Sequence, residues 1–206
     1  MVGPVSNRRR ISRRRVLQTV GVGTAVGMAG CIGGGTGGCQ DLSIDLSTGT
    51  TDGTPDSFGT DDPDWRVASA PDGTTGQAVS IEPVSQWVTL PTANWIDPYG
   101  TGGWPAPSDP LGAYVYEIDF EVSDTWSEEQ CELRIHQWSV DDDATLELDG
   151  PSGTITLDQG SGHTTLKGPV SQSLAPGQYT LRARVLNEMT ITGLLVEADV
   201  LCECDD

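Results

Sequence analysis

Basic side chains are scarce. Lys167 is the single lysine in 206 residues, and the histidines number two, His136 and His163. Of eleven Lys and Arg, six crowd the N-terminus: Arg8, Arg9, Arg10, Arg13, Arg14 and Arg15. Beyond residue 30 stand five cations (Arg66, Arg134, Lys167, Arg182, Arg184) against thirty acids, a formal charge of −25. Such a balance excludes nucleic acid as a partner, because repulsion opposes contact. The acids are scattered along the chain, which excludes a disordered acidic tail. There is no Gly-x-Ser-x-Gly motif, and the two histidines lie far apart, so no nucleophile site is legible and no catalytic residue is assigned. Thirty acids offer no spacing that singles out a carboxylate pair, so the chain is expected not to be an enzyme, with a surface glycoside hydrolase as the alternative. No segment after residue 30 repeats apolar residues at three and four, which excludes a helix longer than a turn or two.

What the chain has instead is alternation. Cys131, Leu133 and Ile135 alternate with Glu132, Arg134 and His136. After the polar stretch 139–143, Ala144, Leu146 and Leu148 alternate with Thr145, Glu147 and Asp149. A period of two buries one face and wets the other. The stretch 131–150 therefore predicts a hairpin closed by an acidic turn, at the centre of the fold, with His136 facing solvent. Tyr114, Tyr116, Ile118, Phe120 and Val122 form the clearest amphipathic strand. Further strands are predicted at 42–46, 65–68, 78–81, 154–157, 179–185 and 191–204, and residues 48–64 read as an irregular loop. Many short strands between Gly, Pro and Asp turns predict an all-β, antiparallel β-sandwich over residues 39–206.

The first thirty residues read differently: a basic head without acids, a short apolar run and small residues at the end, the three parts of a cleavable signal peptide. The run is too short and glycine-rich to span a membrane. Ser12-Arg13-Arg14-Arg15-Val16-Leu17-Gln18 resembles a twin-arginine export motif, in which Arg13 and Arg14 are the recognised pair. Met28-Ala29-Gly30-Cys31 resembles a lipoprotein cleavage box, which implies a cut before Cys31, a lipid on its thiol and a protein held on the outer face of the cell membrane. Residues 31–38, Cys-Ile-Gly-Gly-Gly-Thr-Gly-Gly, read as a flexible tether. The acidic, lysine-poor surface resembles those of exported proteins of halophilic archaea.

The order of pieces is similar to that of a recurrent extracellular module, broadly of the galactose-binding-like jelly-roll class. Those pieces are STGTTDGTPD (47–56), DPDWRV (62–67), NWIDP (94–98), AYVYEIDFEV (113–122), WSVDDDATLELDG (138–150), APGQYTLRARVLN (175–187) and TGLLVEADV (192–200). The resemblance implies a jelly roll and, in some members, carbohydrate binding, and it does not imply catalysis. A binding or display role is expected, with a surface glycan or an envelope protein as partner; an envelope component or accessory subunit without its own ligand is the alternative.

With Cys31 assigned to lipid, Cys39, Cys131, Cys202 and Cys204 predict two disulfides. Cys202 and Cys204 sit on one face of a strand with parallel side chains, a poor geometry for bonding each other. A zinc site at the four cysteines is the lesser reading, since Cys-x-x-Cys spacing is absent. No metal ligand and no cofactor are assigned. The acid clusters Asp61-Asp62-Pro63-Asp64 and Asp141-Asp142-Asp143 leave calcium open, although neither has the twelve-residue calcium-loop spacing. Trp87, Trp95 and Trp104 are the candidate ligand-binding residues, as a platform stacking on a sugar ring. The competing reading is that they pack inside, with each indole N–H seeking a partner.

Overall fold

The computed structural model describes residues 41–100, 102 and 108–204. The signal peptide, Arg13, Arg14, Cys31, the tether, Cys39 and Trp104 lie outside the described residues.

Among the described residues, thirteen strands follow in sequence. They are β1 (Leu42–Asp45), β2 (Thr50–Thr51), β3 (Thr54–Pro55), β4 (Asp61–Ser69), β5 (Gly76–Ile81), β6 (Trp95–Asp97) and β7 (Gly112–Val122). Then come β8 (Cys131–Asp141), β9 (Asp143–Gly150), β10 (Gly153–Ser161), β11 (Val170–Ser173), β12 (Gly177–Asn187) and β13 (Gly193–Cys202). There is no helix among the described residues. The main sheet runs β10-β9-β12-β7-β4-β5-β6-β13-β8-β11, with β1 added on β13, and β2 and β3 form a separate small hairpin. Each of these pairings is antiparallel.

The sheet rolls over on itself into a β-sandwich-like form. The apolar halves of the alternating strands meet inside: Tyr114, Tyr116, Ile118 and Phe120 of β7, Leu146 and Leu148 of β9, and Leu181 and Val185 of β12. They share one buried cluster with Leu133 and Ile135 of β8 and Val196 and Val200 of β13. The opposite halves carry the charges. Glu117 accepts from Arg66 and Arg182, and Glu147 accepts from Arg184, in a ladder across β4, β7, β12 and β9.

The predicted central hairpin is not a hairpin. β8 pairs with β13 and β11, whereas β9 pairs with β10 and β12. The stretch 139–143, expected as a turn, is strand except for Asp142, which alone joins β8 to β9. Period-two patterning reports which face of a strand is buried and says nothing of which neighbour it bonds. The hairpin that does exist, β9 to β10, turns at Pro151-Ser152, with Gly150 opposite Gly153. His136 is the extra residue of a bulge, since Gln137 pairs with Glu197 and Ile135 with Ala198. That bulge leaves it exposed, as predicted. The expected loop 48–64 holds β2, β3 and the start of β4. Short uncharged β11 carries no pattern that distinguishes it from a turn.

Candidate functional site

Register defines two poles. Leu42 opposes Cys202 and Cys202 opposes Cys131, so both ends of the described chain sit at one pole. There the Cys204 N–H donates to Asp41. Cys131 and Cys202 are joined by a disulfide, with Cα atoms 4.1 Å apart, and Cys204 is disulfide-bonded as well. A sulfur in a disulfide is not a thiolate ligand, so Cys131 and Cys202 do not serve a metal in this state. β8 runs away from this pole to Asp141, which opposes Gly193, and Gly112 opposes Asn187 at the same far end.

The far pole gathers most of what is chemically distinctive. His163 Nδ1 lies 2.8 Å from Asp141 Oδ1. Burial and the neighbouring Asp142 push the Asp141 carboxyl up to about 6. Asp142 accepts the Glu188 N–H, and its carbonyl accepts the Gly162 N–H. Ser139 Oγ donates to the same 162–165 loop, and so does the Lys167 ammonium. Lys167 also lies 5.0 Å over the Trp138 ring. These contacts clamp the connection between β10 and β11. An Asp–His pair is two parts of a proton relay. No hydroxyl is hydrogen-bonded to His163 among the described residues, and the arrangement acts as a fastening. Nothing in a separation of 22 positions announces this contact in the sequence.

Two of the three candidate ligand-binding tryptophans are core residues. Trp95 is 1% exposed and Trp87 is 7% exposed. Their rings stand 4.2 Å apart at a tilt. Trp95 Nε1 donates to the Val88 carbonyl, and the two rings pack with Ile81, Ala93, Ile191 and Leu195. The packing alternative therefore holds for Trp87 and Trp95, and the sugar platform does not. Gly193 explains how they fit: a Cβ there would lie 2.7 Å from Trp87 and 3.1 Å from Trp95. Gly193→Ala is expected to cost about 2 kcal/mol by overpacking, read as a shift in the denaturation midpoint. A variant as stable as the parent would refute this packing.

Apolar side chains reach solvent at the far pole. Leu111 is 61% and Met189 is 67% exposed, just beyond the last pair of β7 and β12, and Leu186, opposite Ala113, is exposed as well. Beside Leu186 is a shallow hollow of about 470 Å³ on the outer face of β10, β9 and β12, lined by Asp143, Thr145, Gln159, Ser161, Arg184 and Leu186. Free positive charge is lacking, since each cation among the described residues is engaged. Arg66 binds Glu117 and Asp119, Arg134 binds Asp199, and Arg182 and Arg184 bind Glu117 and Glu147. Lys167 binds backbone carbonyls.

Both acid clusters are used internally. Asp62 is fully buried. Its Oδ1 accepts the N–H of Asp64 at 2.9 Å and of Trp65 at 2.8 Å, and its Oδ2 accepts that of Gly49 at 2.7 Å. Burial pushes its carboxyl up to about 7, against the pull of those three donors. Among the described residues, no group of three His, Cys, Asp or Glu is arranged to hold a metal ion.

No protein-family model matches the chain, and no curated protein matches it.

Proposed function

We propose that the chain is an exported, lipid-anchored surface domain of jelly-roll type that binds or displays and does not catalyse. One observation carries the reading. β1 and β13 bring the two ends of the described chain to a single pole, so a tether over residues 31–38 enters there. A lipid on Cys31 then leaves the far pole, with Leu111, Leu186, Met189 and the hollow, pointing away from the membrane. The twin-arginine resemblance at Arg13 and Arg14 supports export of a folded domain, and the acidic surface supports a high-salt exterior. Contact with a partner falls to the far pole and the strand edges, because Trp87 and Trp95 are buried.

Replacing Cys31 with serine in the producing cell is expected to move the protein from the membrane to the soluble fraction. Mass spectrometry of the parent should find residues 1–30 missing and a lipid mass on Cys31. Retention of the serine variant at the membrane, or an unmodified Cys31 thiol, would overturn the anchoring.

A further inference from the structure

Among the described residues, three strands of the main sheet are bonded on one side alone: β10 to β9, β11 to β8, and β1 to β13. An open edge offers unpaired N–H and C=O groups to any extended chain. Over residues 153–157 the edge of β10, like that of β11, is uncharged, and it differs from β11 in exposing a large aliphatic side chain, Ile155. Residues 151–157, Pro-Ser-Gly-Thr-Ile-Thr-Leu, carry no charge in a chain with thirty acids. Thr154, Ile155 and Thr156 are β-branched and favour extended pairing. Ile155 opposes core-facing Leu148, yet it is 40% exposed, overhanging the interior at the open edge.

We infer that the edge of β10 pairs with β10 of a second copy of this chain, antiparallel and centred on Ile155. Three features select this occupant. Thr-Ile-Thr is symmetric about its middle, so a two-fold axis at Ile155 sets Thr154 opposite the partner's Thr156 and one isoleucine opposite the other. Such cross-strand pairs stabilise a sheet. A strongly acidic chain repels its own kind least along an uncharged strip. A register shift falls between Thr156 and Asp158, and beyond it Asp158 accepts the Trp138 indole N–H and Gly160 packs against Lys167 and Trp138, so the bulge ends the pairing at one side and fixes its register.

The polarity of β10 has a consequence for the assembly. The strand runs from the pole of the chain ends, where Gly153 opposes Gly150, to the far pole, where Ser161 opposes Asp143. Antiparallel pairing therefore points the chain ends of the two copies in opposite directions. This step rests on the proposed anchoring: two lipid-tethered copies joined in this way belong to two facing membranes. The pairing is homophilic adhesion across a gap set by the two paired domains and their tethers.

The membrane-extracted, detergent-solubilised protein tests the pairing by light scattering up to about 100 µM. A concentration-dependent doubling of mass is expected, with the half-dimer concentration falling between about 0.1 M and about 2 M KCl as repulsion is screened. Ile155→Lys and Thr156→Pro should each raise that concentration at least about tenfold. Mild oxidation should link Ile155→Cys into a covalent dimer and leave Leu111→Cys, which is more exposed, monomeric. Monomeric mass in every condition, or equal cross-linking of the two cysteines, overturns the inference and leaves the anchoring untouched. Lipid vesicles carrying the parent should cluster, and those carrying Ile155→Lys should not. A dimer in detergent with dispersed parent vesicles overturns the facing-membrane arrangement alone.

Discussion

Asp62→Ala is expected to cost about 4 kcal/mol of folding stability, because it strands three backbone donors inside the protein. The N–H groups of Gly49, Asp64 and Trp65 all end on this carboxylate. A buried donor left without an acceptor costs about 1–3 kcal/mol, and alanine leaves room for water at some of the three. Trp65 is itself fully buried, with its indole N–H on the Leu46 carbonyl, so the damage falls where β4 enters the core. Denaturant unfolding measures the loss; a change below about 1 kcal/mol would show that these donors find other partners.

The same carboxyl makes stability depend on pH. Its folded pKa, about 7, stands above the ordinary 3.8. The folded state thus holds a proton that the unfolded chain has released. The contribution is fully present below the ordinary value and is lost as pH rises through about 7. The gap between the two values corresponds to roughly 4 kcal/mol, an upper figure for the whole window. Asp141, raised to about 6, acts in the same direction over a narrower range. Asp62→Asn has no proton to lose. Its deficit relative to the parent should therefore shrink between about pH 5 and about pH 8, whereas a constant deficit would contradict the raised value.

Removing the Cys131–Cys202 bond, by replacing both residues with alanine, is expected to cost about 4 kcal/mol in the chain-entropy account. The two residues lie 71 positions apart, and a loop of that length is costly to close without a covalent link. Both sulfurs are buried, so the substitution also leaves a small void. The midpoint of thermal unfolding should fall by about 10 °C for a domain of this size. Unchanged stability would mean that β8 and β13 need no cross-link, their ladder of hydrogen bonds being sufficient.

Alternation makes the core legible in the sequence. The inward residues of β7, β9, β12 and β13 are those that the period of two selects, because a one-residue slip would expose every one of them. Partnership between strands was not legible. β8 and β9 share the signature of a hairpin, and only the hydrogen bonds of β13 and β12 show that they part company. The cysteine geometry was readable in one respect: Cys202 is bonded to Cys131 and not to Cys204. The tryptophans misled as a platform because indoles in a proline-rich segment read equally well as surface or core. The absence of a side chain at Gly193 decides for Trp87 and Trp95. Asp62 was hidden among its acidic neighbours. Its position just before Pro63, with acceptance of N–H groups two and three residues on, is the habit of an aspartate that shapes a turn, and that was the one available signal.

The pairing of β1 with β13 sets how the domain would bear a pull. Leu42 to Asp45 run antiparallel to Cys202 to Asp199, and the contact continues through the Leu46 and Thr48 N–H groups, which donate to Ala198 and Val196. Tension applied at residue 41 and resisted at the far pole acts along these strands. Hydrogen bonds loaded in that direction must slide together, whereas a sideways tug would open them one after another. A pull on residue 41 would therefore load the β1–β13 hydrogen bonds together rather than one at a time.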